Sequence, residues 1–341
     1  MAGEQRDGTT VLTTAREQPD EARDDSVVRP DRLEDFVGQP EVKRNLSILL
    51  QATQERQQSL EHLLLYGPPG LGKTSLAHIV AHELGTTIRV TSGPALERAG
   101  DLASILSNLQ TGDILFIDEI HQLKRTIEEI LYPAMEDFAL DLVLGKGPSA
   151  KTLRLELPHF TLIGATTRVA KLSSPLRDRF GGHFHLDFYE PEDIEQILLR
   201  TARILGIALE RTGAQEIAGR ARRTPRIANR LLRRVRDYAQ VHREPAITAS
   251  VAQAALALLN IDQHGLDKID RRLLGILMDQ YAGGPAGLGT LAAALGEEVA
   301  TVEEVIEPFL LREGWLERTP RGRQLTTRAR TLWPAEGVAD P

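Results

Sequence analysis

The chain has 341 residues, of which 41% are hydrophobic and 26% are charged, and its net charge is −7. This length exceeds what a single compact core usually holds, so we expect two or three domains. The absence of cysteine excludes disulfides, cysteine-ligated zinc, iron–sulfur clusters and thiol nucleophiles. No apolar run approaches the ~18 residues of a membrane helix, and the acidic N-terminus lacks an apolar signal segment. We therefore expect a cytoplasmic protein without a membrane partner.

The first part of the chain predicts a tail followed by an α/β domain. Residues 1–26 are polar and without periodicity, which is typical of a disordered acidic tail. Over residues 27–189, apolar β-rich runs alternate with stretches of helical period, and this pattern predicts a parallel sheet with helices on both faces. The five runs are HLLLY (62–66), TTIRV (86–90), DILFID (113–118), FTLIGAT (160–166) and HFHLDF (183–188).

The rest of the chain predicts two further domains. Helical periodicity without β signals indicates a small helical domain over residues 190–260. Residues 261–341 contain a helix, a glycine-rich link, two shorter helices (about 289–295 and 299–312) and a two-stranded element around 315–326. Three helices followed by a hairpin is the order of a winged helix, a relative of the helix-turn-helix. This last segment is therefore a candidate DNA-binding domain.

The stretch GPPGLGKT, from Gly67 to Thr74, satisfies the pattern G-x-x-x-x-G-K-[ST] between a predicted strand and a predicted helix. Its glycines let backbone N–H groups converge on phosphates, and the following helix directs its positive end at them. Lys73 would reach the β and γ oxygens, and Thr74 would place its hydroxyl on Mg²⁺. The alternative is a glycine-rich turn that binds nothing, which the strand–loop–helix context disfavours.

A second motif ends an apolar strand in two carboxylates. In ILFIDEIH, Asp118 is placed to hold Mg²⁺ through water, and Glu119 to orient and polarise the water that attacks the γ-phosphate. An ordinary solvated strand end is the weaker alternative, because four apolar residues lead directly into the two acids. Both motifs together still admit a small-molecule kinase, a GTPase or an ATP-driven motor. A GTPase is disfavoured because no Asn-Lys-x-Asp tetrapeptide follows the loop.

Two later stretches contain candidate residues that report ATP hydrolysis or complete the nucleotide site. IGATTR ends the next strand in Thr166 and Thr167, and a hydroxyl beside the γ-phosphate can report hydrolysis. SPLRDRFGG places Arg177 and Arg179 before the last strand. An arginine held away from its own nucleotide can complete a neighbour's site, and an arginine supplied in trans contributes about 10³ to 10⁵ in rate. This hypothesis requires a ring or a filament.

These residues resemble the AAA+ ATPases and, within them, the RuvB family of hexameric motors that drive branch migration of Holliday junctions. The likeness runs from about residue 27 to residue 333. Its narrowest motifs are FIDEIHQLKRTIEEILYPAMEDF, TPRIANRLLRRVRDYA and GWLERTPRGRQLT. The resemblance implies an AAA+ P-loop ATPase domain, a small helical lid domain and a C-terminal winged-helix domain. It also implies Mg²⁺-dependent ATP hydrolysis, translocation of double-stranded DNA, and a place in recombination, DNA repair and the SOS response.

The resemblance implies a nucleotide site built from residues at matching positions. These are Val28, Arg29, Gly67, Gly70, Gly72, Lys73, Thr74, Ser75, Asp118, Glu119, Glu136, Asp137, Phe138, Thr167, Arg179, Tyr189 and Arg226. Val28 and Arg29 match the adenine pocket, and Tyr189 matches the turn into the lid domain. Thr167 matches the first sensor, Arg226 the second sensor, and Arg179 the finger that acts on the adjacent subunit.

The resemblance also implies partners. Arg318 and Arg323 match wing residues that touch the DNA backbone. Residues 140–158 have the pattern of two strands joined by a Gly/Pro/Ser loop, which alone could be a mere surface excursion. In the RuvB family the corresponding hairpin engages RuvA, so RuvA is an expected partner. The RuvC resolvase and a homo-hexameric ring are the other expected partners.

The remaining charged and histidine residues have simpler interpretations. Eight arginines lie between residues 220 and 236, and apart from Arg226 we interpret most of them as a solvated helix face. Five arginines and one glutamate give residues 315–334 a charge of +4, which suits sequence-independent phosphate contacts; a wing used for protein contacts is the alternative. The histidines that could suggest a metal site are interpreted as structural: His62, His121, His183 and His185.

Two other functions fit the same motifs. Another AAA+ machine, such as a clamp loader or a protein remodeller, would share the chemistry but not the winged domain with RTPRGR. A nucleotide-gated DNA-binding switch with negligible turnover would use ATP only to set its conformation. Replacing Glu119 with glutamine separates the second alternative from an enzyme, because only an enzyme would lose hydrolysis while still binding ATP.

Overall fold

A computed structural model of the chain describes residues 13–14, 27–144 and 151–332. The chain divides into two compact units, one formed by residues 18–189 and the other by residues 1–17 together with 190–341. Within the described ranges, no helix combines the length and the apolarity that crossing a membrane requires.

The first unit alternates strands and helices, as the apolar runs predicted. Its elements are α1 (Pro40–Arg56), β1 (Leu63–Tyr66), α2 (Lys73–Leu84), β2 (Ile88–Ser92), α3 (Ala99–Leu106), β3 (Ile114–Asp118), α4 (Arg125–Glu136), β4 (Ala139–Leu144), β5 (Lys151–Glu156), β6 (Thr161–Thr166), α5 (Ser174–Arg177) and β7 (Gly182–His185). All five predicted runs form strands.

Three of these strands begin one residue later than predicted, and β2 and β7 differ from the predicted bounds by more. β2 begins and ends two residues late because Thr86 lies just past the end of α2 and caps it, its N–H donating to Ala81 O at 3.0 Å. β7 ends three residues early. Beyond it, the Gln39 side chain takes the place of a neighbouring strand, donating to Asp187 O at 2.5 Å and accepting from Asp187 N–H at 3.1 Å.

Five strands form one parallel sheet in the order β2-β3-β6-β1-β7. β3 and β6 are buried along nearly their whole length, as expected of central strands covered on both faces. Parallel strands bring their carboxyl ends to one edge of a sheet, where open α/β sheets bind ligands. The phosphate loop, the Asp118–Glu119 pair and Thr166–Thr167 all follow strands at this edge.

A separate hairpin follows α4. β4 and β5 pair antiparallel from Ala139 opposite Glu156 to Leu144 opposite Lys151. These strands correspond to the two strands expected within residues 140–158. The loop between them, residues 145–150, lies outside the described residues.

The second unit contains a helical part followed by a winged-helix arrangement. Its elements are α6 (Pro191–Ile204), α7 (Arg211–Arg220), α8 (Pro225–Val241), α9 (Ala249–Leu258), α10 (Lys268–Tyr281), α11 (Leu288–Leu295), α12 (Val299–Thr301), α13 (Glu307–Arg312), β8 (Leu316–Thr319), β9 (Gly322–Leu325) and α14 (Thr327–Leu332). β8 and β9 form the predicted antiparallel wing.

A π-helical turn, Val302–Ile306, joins α12 to α13 where the sequence predicted one continuous helix. The Glu307 N–H bonds to Val302 O, five residues back. The turn ends two residues before Pro308, which has no N–H and whose ring crowds the carbonyl four residues before it. Widening the preceding turn accommodates this proline.

Two residues of the predicted tail are described, and both make contacts within the second unit. The Thr13 hydroxyl donates to Asp267, and Arg230 Nη1 donates to Thr14 O at 2.7 Å. Thr13 is buried. The rest of the expected tail lies outside the described residues, as do residues 333–341.

The solvated-face interpretation of the arginine cluster is wrong for Arg222 and Arg230, since both side chains are buried. Arg222 follows α7 in a left-handed backbone conformation with a φ of 52°. Its guanidinium hydrogen-bonds Asp270, lies 3.3 Å from Asp267 and stacks 4.2 Å from the Phe309 ring centroid. Burial is the main reason that the pKa of Asp270 rises to about 7. Two acids that are distant in the sequence therefore stabilise a buried Arg222, which the local charge pattern predicts to be exposed to solvent.

Candidate functional site

The phosphate loop depends on glycine at two positions. Gly67 and Gly72 have φ values of 142° and 99°, a region that L side chains rarely adopt. A Cβ on Gly67 would lie 2.2 Å from Leu186 O, and one on Gly72 would lie 3.2 Å from the Phe36 ring. These positions therefore require residues without a side chain. The phosphate loop is surrounded by β1, α2 and the segment after β7.

Lys73, the first residue of α2, is buried inside this loop. Its ammonium donates to the carbonyls of Gly67 and Pro68, each at 2.8 Å. The helix N-terminus and the ammonium together concentrate positive charge within the loop. Thr74 and Ser75 follow in the first turn of α2, and Gly70 lies within the loop with a φ of 77°.

The residues expected near the base also lie close to this loop and its helix. The Tyr189 hydroxyl donates to Leu71 O at 3.1 Å. Arg29 lies near His78 on α2, where burial first and the Arg29 charge second lower the pKa of that histidine. Val28 is buried. The structure therefore brings Arg29 and Tyr189 to the phosphate loop and its helix.

The backbone turns sharply after β3. Asp118 ends the strand, and its Oδ1 accepts the Glu119 N–H at 2.9 Å. Glu119 has a φ of 47° and a ψ of 44°, the left-handed region, which costs a residue with a side chain about 1–2 kcal/mol. The Gln122 N–H donates back to Glu119 O at 2.9 Å. This turn directs the Glu119 carboxylate toward the end of β6.

The Glu119 carboxylate joins the ends of β3 and β6. The Thr167 hydroxyl donates to Glu119 Oε2 at 3.1 Å. His121 Nδ1 lies 3.1 Å from the same oxygen and 3.0 Å from Thr166 Oγ1. Burial lowers the pKa of His121; the Glu119 charge opposes this shift, and the charges of Arg168 and Lys171 add to it. The burial of the ring therefore favours the neutral form of His121.

The donor set fits Mg²⁺. Within the described ranges, no group of three or more histidine, aspartate or glutamate side chains could hold a metal by itself. In nucleotide sites Mg²⁺ takes only one or two protein oxygens and completes its shell with phosphate and water. The Thr74 hydroxyl and the Asp118 carboxylate supply such oxygens beside the phosphate loop.

Four of the predicted nucleotide-site residues lie together at the other edge of the sheet. Arg179 Nη2 bonds Glu136 Oε2 at 3.0 Å, and the guanidinium stacks 4.5 Å from the Tyr132 ring centroid. Asp137 accepts from Arg154 at 2.9 Å. The Phe138 ring lies 4.0 Å from that of His159.

His62 fixes the position of this second group. Its Nε2 lies 3.0 Å from Met135 O, and its carbonyl accepts the Gly181 N–H at 2.9 Å. His62 immediately precedes β1, whereas Gly67 immediately follows it. Five residues of extended chain separate the two ends by roughly 16 Å. The predicted site is therefore divided: the Glu136–Arg179 group does not join the phosphate loop of its own chain.

Two groups of predicted residues belong to the second unit. Arg226 is half-buried at the second position of α8, after Pro225. Arg318 and Arg323 face each other across the wing, and both hydrogen-bond Glu307 Oε1 at 2.8 Å. Arg323 also donates to Glu307 Oε2 at 3.0 Å.

The wing arginines differ in their exposure. Glu307 is 1% exposed; burial opposes its ionisation, yet the hydrogen bonds from Arg318 and Arg323 hold its pKa below the ordinary value. The Arg323 side chain is 18% exposed and that of Arg318 is 53% exposed. Arg323 is thus committed to an internal carboxylate, and Arg318 retains more surface for a ligand.

Sequence reasoning missed the partners that organise these sites. The sequence predicts a structural His121, although its place two residues after Glu119 was a usable signal. Glu307 and Tyr132 carry no local signal, because their arginine partners lie 11 to 47 residues away in the chain.

Three family models match consecutive segments of the chain. Residues 28–186 match the Holliday junction DNA helicase RuvB P-loop domain, residues 189–262 the RuvB AAA lid domain, and residues 263–333 the RuvB C-terminal winged helix domain. The expected order of an AAA+ domain, a lid and a winged helix is thereby confirmed.

Similar proteins cover nearly the whole chain. The Holliday junction branch migration complex subunit RuvB of Dehalococcoides mccartyi is 59% identical over 310 residues, which is 91% of this chain and 89% of that protein. The Chloroflexus aurantiacus protein of the same name is 59% identical over 318 residues, 93% of this chain and 91% of its own. Among solved structures, the Thermotoga maritima RuvB Holliday junction branch migration motor has a TM-score of 0.81 and 47% identity, covering 91% of this chain and 99% of that one.

Proposed function

This chain belongs to the RuvB family, and we propose that it is the ATP-driven motor that moves Holliday junctions by translocating double-stranded DNA. The observation that carries the proposal is the Glu119 carboxylate, held by Thr167 at 3.1 Å beside a phosphate loop built on obligatory glycines. An acid in that place suits attack by water on a phosphate rather than transfer to a second substrate.

In the cis half of the reaction, Lys73 and the N-terminus of α2 bind the β- and γ-phosphates. Glu119 orients the attacking water and accepts its proton as the bond to the γ-phosphorus forms. The bond from that phosphorus to the β–γ bridging oxygen breaks in the same step, which releases ADP and phosphate. Mg²⁺, held by Thr74 and through water by Asp118, would supply charge neutralisation at the phosphate oxygens. Arg29, Val28 and Tyr189 hold the base end of the nucleotide.

In the trans half, Arg179 stabilises charge on the nucleotide of the adjacent subunit. The separation of roughly 16 Å along β1 supports this assignment, since Arg179 lies at the edge opposite to its own phosphate loop. Glu136, Asp137 and Phe138 lie beside Arg179 and belong to the same trans surface. A cavity of about 920 Å³ borders this surface, lined in part by His62, Phe138, His159 and Arg179.

Thr167 and Arg226 serve as the two sensors in this proposal. Thr167 has a single hydroxyl proton, so it can donate to Glu119 or to a phosphate oxygen but not fully to both. The presence of a γ-phosphate would therefore change the contacts of Glu119. Arg226, at the start of α8, carries the nucleotide state to the lid domain.

The partners complete the proposal. Arg318 binds DNA phosphates, with Arg323 holding the wing in shape. The β4–β5 hairpin engages RuvA, the motor acts with the RuvC resolvase in DNA repair and the SOS response, and the chain forms a homo-hexameric ring. A ring is the closed form of the head-to-tail interface that a trans arginine requires.

The test is a four-way-junction dissociation assay with ATP and Mg²⁺, with and without RuvA, on the wild type and the Glu119→Gln variant. We expect the wild type to dissociate the junction and the variant to bind ATP without dissociating it. If the wild type consumed ATP but moved no junction under either condition, the motor function would be wrong. If the wild type showed negligible turnover and Glu119→Gln left ATP-dependent DNA binding unchanged, the chain would be a nucleotide-gated switch.

A further inference from the structure

We propose that His121 is a positioning residue of the hydrolytic site, which holds the Glu119 carboxylate in its water-orienting pose through Nδ1. The proposal rests on the ATP hydrolysis proposed above and adds a residue to it. His121 lies in the short 3₁₀ turn that follows Glu119, and its side chain is 6% exposed. Its ring is therefore fixed in the protein interior beside a carboxylate that must meet solvent.

The contacts form a chain from β6 to Glu119. The Arg168 N–H donates to Thr166 Oγ1 at 3.0 Å, and Thr166 Oγ1 lies 3.0 Å from His121 Nδ1. His121 Nδ1 in turn lies 3.1 Å from Glu119 Oε2. Thr166 is fully buried at the last position of a central strand, so the chain is anchored on the sheet itself.

The proposed contact with Glu119 requires one tautomer of the neutral ring. An ionised carboxylate only accepts hydrogen bonds, so Nδ1 must carry the proton of the neutral ring to bind Glu119. Thr166 Oγ1 already accepts one backbone N–H and has a second lone pair that can share the Nδ1 proton. The opposite tautomer would set a ring lone pair against the carboxylate at 3.1 Å.

His121 and Thr167 hold Glu119 in different ways. Thr167 has one hydroxyl proton, which is required by the γ-phosphate when Thr167 acts as a sensor. At that moment Thr167 stops donating to Glu119, and the His121 contact remains. His121 therefore keeps the carboxylate oriented in the state in which water attacks, when orientation matters most for the rate.

The experiment compares His121→Ala, His121→Asn and the wild type by steady-state hydrolysis and by equilibrium binding of a fluorescent ATP analogue. We expect kcat of His121→Ala to fall by on the order of 10²-fold, the cost of a misplaced reacting group. Analogue affinity should change less than about twofold, because Lys73 and Thr74 are untouched. His121→Asn should recover most of kcat, since its amide N–H replaces Nδ1–H. His82→Ala, which alters an exposed histidine on α2, is the matched control and should match the wild type.

A double-variant cycle separates positioning from general structure. If His121 acts through Glu119, adding His121→Ala to Glu119→Gln should not slow single-turnover hydrolysis further. The inference is overturned if kcat of His121→Ala stays within twofold of the wild type, if His121→Asn is no better than alanine, or if the two variants slow hydrolysis additively. A wild type without turnover would instead overturn the proposed function, and the role of His121 with it.

Discussion

Replacing the two wing arginines separately should show that Arg323 contributes mainly to the stability of the winged-helix domain and Arg318 mainly to DNA binding. Removing one partner of a fully buried ion pair costs about 3–5 kcal/mol. Arg323→Ala removes two of the three hydrogen bonds to the buried Glu307, but the Arg323 side chain is 18% exposed and Arg318 remains as a partner. We therefore expect a loss of about 2 kcal/mol from the winged-helix domain, roughly half of that cost. Arg318 is 53% exposed, and exposed ion pairs contribute about 0.2–1 kcal/mol.

The assay for stability uses tryptophan fluorescence during urea unfolding. The only two tryptophans of the sequence are Trp315 and Trp333, so the signal reports the C-terminal domain. DNA binding is measured as duplex anisotropy over a range of salt concentrations. Arg318→Ala should lower the slope of log affinity against log salt by about 0.9, one phosphate contact.

Arg125→Ala, at an exposed arginine of the first unit, controls for the loss of one positive charge. Arg318→Lys keeps the charge and should keep most of the salt slope. The reasoning is refuted if Arg323→Ala unfolds at the wild-type urea concentration, or if both wing variants lower the salt slope equally with no change in stability.

Two further predictions concern the phosphate loop and the buried acids. Gly67→Ala should abolish binding of a fluorescent ATP analogue while leaving the tryptophan-monitored unfolding unchanged. The reason is that a Cβ at this position would lie 2.2 Å from Leu186 O, and that the backbone has a φ of 142°. Retained binding would contradict the strain argument. The pKa of Asp270 is raised from 3.8 to about 7, so the folded state binds the extra proton and loses stability as pH rises through 7. The free energy of unfolding should fall by up to about 1.4 kcal/mol per pH unit from this group between pH 4 and 7. Asp270→Asn should flatten that slope in urea titrations at several pH values, and an unchanged slope would show that Asp270 does not titrate there.

The parts of this fold that sequence predicts best are those encoded within one element. A central parallel strand is buried on both faces, so DILFID and FTLIGAT appear as unbroken apolar runs. The phosphate loop is equally local, since its glycines, lysine and hydroxyl are contiguous. The exact strand ends were less predictable, because Thr86 caps a helix and Gln39 pairs with the chain beyond β7.

Long-range pairing set the limit of prediction. Arg222 belongs to a run of arginines that the sequence predicts to be solvated. It instead forms ion pairs with Asp267 and Asp270, which lie 45 and 48 residues further along the chain. The sequence alone gives no partner for the two wing arginines, but in the folded chain both form ion pairs with Glu307. Charge pattern alone states how many cations a segment carries but not which of them are already neutralised.

The placement of the predicted nucleotide-site residues at two different edges of the sheet was also beyond local pattern. Motif spacing names Lys73, Glu119 and Arg179 without telling which share an edge. The register of β1 with β7 places Arg179 at the amino end of the strands, because Leu63 lies opposite Gly182. That register is the physical basis for assigning Arg179 to a neighbour's nucleotide.

The most direct measurement mixes Lys73→Ala subunits with Arg179→Ala subunits and follows ATP hydrolysis. Each variant alone should be inactive. In mixed rings, about a quarter of the interfaces at random assortment join an intact phosphate loop to an intact arginine, so hydrolysis should return. If rings shown by cross-linking to contain both variants remained inactive, or if Arg179→Ala alone hydrolysed ATP at the wild-type rate, the shared nucleotide site would be contradicted.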